Sequence, residues 1–255
     1  MIFTSSCCDN LSIDEIIERA EKGDCDAQYI IGFYYNRDSA IDSPDDEKAF
    51  YWLRLAAEQG HCEAQYSLGQ KYTEDKSRHK DNGQAIFWLK KAALQGHSDA
   101  QNNLADLYED GKGVAQNETL AAFWYLKSAQ QGNRHAQFQI AWDYNAGEGV
   151  DQDYKQAMYW YLKAAAQGSV GAYVNIGYMY KHGQGVEKDY QAAFEWFTKA
   201  AECNDATAWY NLAIMYHYGE GRPVDLRQAL DLYRKVQASG TRDVSQEIRE
   251  IEDLL

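Results

Sequence analysis

The 255-residue chain carries 39 Asp and Glu against 25 Lys and Arg, a formal net charge of −14 at pH 7 with a pI near 4.8. Such a field repels phosphate backbones and anionic lipid, which argues against nucleic acid and membrane as partners and favours a basic protein or peptide. With 45 % hydrophobic and 14 % aromatic residues, including 20 Tyr, the chain has ample apolar surface for a packed core and too much for disorder.

Residues 1–11 read as a flexible terminus: Met1 to Cys8 has neither the charged segment nor the apolar run of a secretory signal. Nothing later approaches the roughly 20 apolar residues of a membrane span. Five cysteines, at 7, 8, 25, 62 and 203, show no paired spacing. They read as free thiols of a cytoplasmic protein. Residues 12–24 form a predicted helix opened by the capping box Ser12-x-x-Glu15, a lone N-terminal capping helix.

From residue 25 the chain repeats itself. Tryptophans at 52, 88, 124, 160 and 196 share one 36-residue period, the mark of stacked identical units with no internal domain boundary. Six helix–loop–helix copies result, about 25–61, 62–97, 98–133, 134–169, 170–205 and 206–240, closed by a C-terminal capping helix in 241–255. Each first helix is anchored by an alanine, taken as place zero: Ala27, Ala64, Ala100, Ala136, Ala172 and Ala208. Place four is aliphatic, place five is Gly or Ala, and place eight is Tyr35, Tyr72, Tyr108, Tyr144, Tyr180 or Tyr216. At about 100° per residue these places fall on one face, the expected core.

Each second helix begins at Ala49, Ala85, Ala121, Ala157, Ala193 or Ala229, with the tryptophan three residues on and Leu232 in its place in the last copy. The tryptophans are expected to be buried. Gln59-Gly60, Gln95-Gly96, Gln131-Gly132 and Gln167-Gly168 end four of these helices in a left-handed turn, and Asn204 serves the fifth. Gly-x-Gly loops join the two helices in copies three to six. Copies one and two depart, one with Pro44 in a longer loop and the other without Gly.

The pattern Ala-x-x-x-(Leu/Ile)-(Gly/Ala)-x-x-Tyr, Gly-x-Gly-Val, Ala-x-x-Trp-x-x-x-Ala-Ala-x-Gln-Gly resembles the Sel1-like repeat family, a branch of the tetratricopeptide-like solenoids, from Ala27 to Gly240. The resemblance implies an all-α, right-handed α/α superhelical solenoid of six 36-residue Sel1-like repeats with capping helices. It further implies a scaffold or adaptor that binds a partner protein or peptide in a concave groove lined by first helices. Members of the family serve in bacterial signalling, envelope regulation and host interaction, and some neutralise secreted toxins as immunity proteins. A secreted subgroup staples each hairpin with a cysteine pair, which this chain lacks.

Places two, three and six of the first helices vary most between copies and lie away from the expected core, so they are the candidate partner-binding residues. Place three reads Asn103, Gln139, Asn175 and Asn211 in four neighbouring copies, a row of carboxamides able to pin an extended backbone. Tyr29, Phe33, Tyr66, Phe138, Trp142, Tyr178 and Tyr210 flank it, the composition of a binding hot spot. Packing between repeats is the alternative for both sets. Lys91, Lys127, Lys163, Lys199 and Lys235 form a periodic row read as a solvated ridge. Asp153, Asp189 and Asp225, just before second helices, read as partners of the helix macrodipole.

Catalytic, cofactor and metal signals are poor. The six His make no His-Glu-x-x-His pair, and the Gly-x-Gly loops lack the rest of a phosphate loop. Ser77-x-x-Lys80 is the one hint of a hydrolase of peptidoglycan or β-lactam type, and no Ser-Asp-Asn or Lys-Thr-Gly accompanies it. The expectation is a non-enzymatic, monomeric binding protein without cofactor or metal.

Overall fold

The computed structural model describes residues 11–36, 46–74 and 78–255, and Cys7-Cys8, Pro44 and Ser77 lie outside them. Among the described residues there are fourteen helices and no strand. The helices fall into two compact units, Met1–Asn133 and Arg134–Leu255. Unit 1 holds α1 (Ile13–Glu21), α2 (Cys25–Asn36), α3 (Asp46–Glu58), α4 (Cys62–Thr73), α5 (Asn82–Leu94), α6 (Ser98–Asp110) and α7 (Glu118–Gln130). Unit 2 holds α8 (Arg134–Ala146), α9 (Tyr154–Ala166), α10 (Val170–His182), α11 (Tyr190–Glu202), α12 (Ala206–Tyr218), α13 (Leu226–Ser239) and α14 (Ser245–Glu252). First helices are α2, α4, α6, α8, α10 and α12, each paired with the second helix that comes next in the chain.

All six place-zero alanines are fully buried, and so are the place-four aliphatics apart from Leu212 at 5 %. Place five sets how closely a pair packs. A Cβ on Gly177 would stand 2.8 Å from the Phe197 ring, so α10 and α11 meet with no room for a methyl group. The expected core needs two corrections. The place-eight tyrosines are half-buried except Tyr108, while place one is buried in the first four copies and place seven in all but the first. On a helix of about 3.6 residues per turn, place one lies between places four and five, and place seven lies beside place zero. The tryptophans also divide: Trp88, Trp124 and Trp160 are buried, whereas Trp52 and Trp196 are half-buried.

Place one holds buried glutamines that join consecutive repeats. Gln101 Nε2 donates to the Ala93 carbonyl at 3.0 Å, and its Oε1 accepts from Gln131 Nε2 at 2.8 Å. Gln65 repeats this with Ala57 and Gln95, and Gln28 with Ala20 and Gln59. In unit 2 Gln167 donates to Gln137 at 2.8 Å. Copies five and six replace both members, with Tyr173 and Cys203 and then Trp209 and Ser239 at the same places.

Loop chemistry obeys the sequence closely. Asp81, Asn117, Asp153, Asp189 and Asp225 each accept from a backbone N–H in the first turn of the second helix they precede. Asn204 adopts φ 61°, the left-handed turn that glycine makes after the earlier second helices. Gly185, at φ 70°, packs on α9, where an added Cβ would meet the Tyr154 backbone at 2.6 Å. This contact ties the loop of one copy to the second helix of the copy before it.

Gln101→Leu takes the acceptor from the Gln131 amide and one of two donors from the Ala93 carbonyl, which keeps the Gly96 N–H, and should lower urea stability by about 1–3 kcal/mol. A second outcome concerns pH. His61 caps α4, its Nδ1 accepting from the Ala64 N–H at 3.2 Å. Its ring stacks on Tyr29 with centroids 4.5 Å apart. Burial lowers its pKa below the ordinary 6.5 despite the nearby Asp26 and Glu63 carboxylates. The folded state therefore binds its proton less readily than the unfolded chain, and the stabilisation present above pH 6.5 is lost as pH falls below it. The urea midpoint should fall on acidification below that pH, and less so in His61→Asn, which caps without titrating.

Candidate partner-binding faces

The outward faces of the first helices are built by the same geometry that fills the core. Taking the middle of the buried arc as reference, place six lies nearly opposite it, and places two and three lie at its flanks. Trp142 and Tyr178, both at place six in unit 2, are 43 % and 47 % exposed, while the other candidate residues are half-buried.

The place-two rings are partly used for packing between repeats. In unit 1 Tyr29 stacks on His61, and Tyr66 lies 4.2 Å from the ring of His97, each histidine capping the next first helix. Phe33 is 6.1 Å from Tyr29. In unit 2 Phe138 lies against Gly171, where a Cβ would come within 3.0 Å of its ring. Tyr210 sits 6.0 Å from Tyr233 and beneath the Arg242 guanidinium at 4.1 Å. Burial, with Asp99 nearby, pushes the Tyr66 phenol up to about 12, so it stays protonated while accepting from Gln70 Nε2 at 2.8 Å.

The carboxamide row does not form one continuous network. Asn103 accepts from Asn102 at 3.4 Å, and Asn211 donates to the Thr207 carbonyl of its own helix at 2.8 Å. Asn175 lies beside the buried Tyr161 hydroxyl, which has Asp143 close by and no well-formed hydrogen bond among the described residues. Gln139 is half-buried at the same register.

One polar cluster of unit 1 is not among the residues expected from the sequence. Tyr125, fully buried on α7, passes its hydroxyl through to the first-helix side, 2.6 Å from Asp106 Oδ1 and 2.8 Å from Glu109 Oε2. A phenol donates one proton, which Asp106 and Glu109 share while Asp106 also accepts from Asn102 Nδ2 at 3.2 Å, and burial together with both charges holds the phenol pKa far above the ordinary range. The signal was present in the sequence as a tyrosine at a second-helix core place that reads Leu53, Leu89 and Phe197 in three copies and Tyr161 and Tyr233 in two, with Asp106 and Glu109 on the helix before Tyr125 alone.

The second helices hold another feature of this kind. The residue before the tryptophan is aromatic in the first four copies, and Tyr51, Phe87, Phe123 and Tyr159 are all exposed. Each ring lies edge-on to its tryptophan. The lysine row is exposed as expected, and it covers rings: Lys91 over Phe87 at 4.5 Å, Lys127 over Phe123 at 5.7 Å and Lys163 over Tyr159 at 5.6 Å. Cys25, Cys62 and Cys203 are free thiols. Among the described residues no group of three His, Cys, Asp or Glu is placed to hold a metal ion, and no helix is long and apolar enough to cross a membrane.

Comparison with known proteins gives a consistent result. A family model described as the Sel1 repeat matches residues 25–61, 62–97, 98–133, 134–169, 170–205 and 206–235. An 81-residue stretch, 32 % of this chain, is 96 % identical to the Sel1-repeat-containing protein YbeQ of Escherichia coli (strain K12) and spans 25 % of it. Among solved structures, c5321 is described as a protective antigen present in uropathogenic Escherichia coli strains displaying an SLR fold. This chain is similar to it with a TM-score of 0.82 and 35 % identity, covering 91 % of this chain and 50 % of that one. A Sel1 repeat protein from Oxalobacter formigenes is similar with a TM-score of 0.70 and 30 % identity, covering 93 % and 69 %.

The shared proton at Tyr125 makes a direct test. Tyr125→Phe removes the proton that Asp106 and Glu109 share, leaving Asp106 with Asn102 Nδ2, and should cost about 1–3 kcal/mol of urea stability. Adding Asp106→Asn supplies a new donor and should recover most of that loss.

Proposed function

Because the chain belongs to the Sel1 repeat family, whose members generally mediate protein–protein interactions, we propose that it is a binding scaffold that captures a partner protein through the outward faces of its first helices. One observation carries this reading. Trp142 and Tyr178 stand exposed one repeat apart in unit 2, with Gln139 and Asn175 at the adjoining place of the same helices. Large rings that lose little rotamer freedom beside amide donors and acceptors are the composition from which interface hot spots are made.

The partner is a basic protein or peptide segment. The Asp106–Glu109 pair in unit 1 and the net charge of −14 both favour a cationic surface, and rim charges chiefly set the association rate. On this reading the chain contributes no chemistry of its own. A finer version has the scaffold neutralise a basic toxin in the cytoplasm as an immunity protein, and it rests on the acidic charge.

The test is capture on the immobilised full chain, identification of the bound protein by mass spectrometry, and calorimetry with that protein. Trp142→Ala/Tyr178→Ala should weaken binding by tenfold or more, about 1.4 kcal/mol or above, with unchanged thermal stability. Binding by Asp106→Asn/Glu109→Gln should lose part of its salt dependence. Full-strength capture by the Trp142/Tyr178 variant would place the interface elsewhere.

A further inference from the structure

The second-helix side of unit 1 faces away from the first-helix surface and shares no residue with it. Its exposed face is apolar to an unusual degree. Tyr51 on α3, Phe87 on α5 and Phe123 on α7 are 49 %, 48 % and 47 % exposed. They occupy the same place in three consecutive repeats. Leu94, 69 % exposed, is seven residues beyond Phe87, and Leu120, 39 % exposed, is three before Phe123, so each leucine extends its ring along the same helix face.

Packing with the rest of the chain does not require these rings. The core residues of α5 and α7 are Ala85, Trp88, Leu89, Ala92 and Ala93, and Ala121, Ala122, Trp124, Tyr125 and Ala129. An outer ring retained at one place in three copies while half its surface stays in water is a candidate contact surface. Charge on this side runs against the rest of the molecule. Helix α5 carries Lys90 and Lys91 and no carboxylate, and α7 carries Lys127 with its one carboxylate, Glu118, in the first turn. Glu58 on α3 is matched by Arg54 at 3.7 Å. Asp46 and Glu47 open α3, so in a chain of net charge −14 it is the α5 and α7 part of this face that is locally cationic.

We infer that the second-helix face of unit 1 is a separate docking surface for an acidic, leucine-bearing segment of a partner protein. Apolar side chains of that segment cover Phe87, Phe123 and Leu94, and its carboxylates meet Lys90, Lys91 and Lys127. The chain's overall negative charge disfavours the other apolar and anionic surface, a lipid bilayer. In unit 2 the pair Tyr159 and Lys163 repeats the motif once, and Glu195 and Asp231 then replace the ring.

The probe is a fluorescent peptide of repeated Glu-Glu-Leu-Leu units, titrated into the full chain by anisotropy, beside a Lys-Lys-Leu-Leu counterpart and phosphatidylglycerol vesicles. The expected result is saturable binding of the Glu peptide alone, weakened about tenfold or more by Phe87→Ser/Phe123→Ser. Lys91→Gln/Lys127→Gln, which leaves the rings in place, should weaken it and flatten its salt dependence. Trp142→Ala/Tyr178→Ala should bind the peptide like the parent chain, so this inference and the first-helix reading fail separately. No binding of the Glu peptide, equal binding of the Lys peptide, preference for vesicles, or indifference to both unit 1 variants overturns it.

Discussion

The close approach of the two helices within each repeat is the constraint on which the rest of the structure depends. Place zero is alanine in all six copies and place five is glycine or alanine. In three copies the glycine lies so near the facing side chain that a Cβ would come within 2.9 Å of Leu53, 2.7 Å of Leu89 or 2.8 Å of Phe197. Helices that approach this closely bury their facing sides completely and leave narrow outer strips. Each repeat therefore presents one helical strip from its first helix and one from its second.

The same constraint decides where polar chemistry can arise. Opposite the place-five glycines stand Leu53, Leu89 and Phe197, whereas the copies with Ala105, Ala141 and Ala213 have Tyr125, Tyr161 and Tyr233 in that position. A tyrosine there buries its ring like the phenylalanine but carries a hydroxyl that needs a partner. In unit 1 the Tyr125 hydroxyl reaches Asp106 and Glu109. In unit 2 the Tyr161 hydroxyl lies beside Asn175, and burial raises its pKa. A variation in the core thus sets the charge and hydrogen-bonding character of the outer face.

The architecture was legible because its signals are local and repeated. The alanine and tryptophan register, the aspartates before second helices and Asn204 in its left-handed turn each depend on one residue's own preference. The glutamines at place one were overlooked because a polar residue conventionally reads as exposed. Their burial makes physical sense only with the second partner about thirty residues away, such as Gln131 for Gln101. Lys71 and Asp143, buried at place seven, are hidden for the same reason. Among the candidate binding residues, the sequence separated outer from inner places. It did not separate Trp142 and Tyr178 from Tyr29 and Tyr66, because stacking on a neighbouring histidine cap depends on the next repeat.

The two outer strips of unit 1 also differ in sign. Its first helices α4 and α6 carry Glu63, Asp99, Asp106, Glu109 and Asp110 against Lys71, while α5 and α7 carry Lys90, Lys91 and Lys127 against Glu118. Such segregation does not arise from helix capping, since the capping Asp81 and Asn117 precede the second helices and add no positive charge there. It does not arise from pairing within the unit either: Lys91 and Lys127 lie over rings of their own helices. An exposed cation held over an aromatic ring gains only about 0.5–1 kcal/mol, which an incoming carboxylate can match without dismantling the core. On the two proposed readings, an acidic first-helix strip and a cationic, aromatic strip on α5 and α7 suit unlike partners, because neither strip uses a residue of the other.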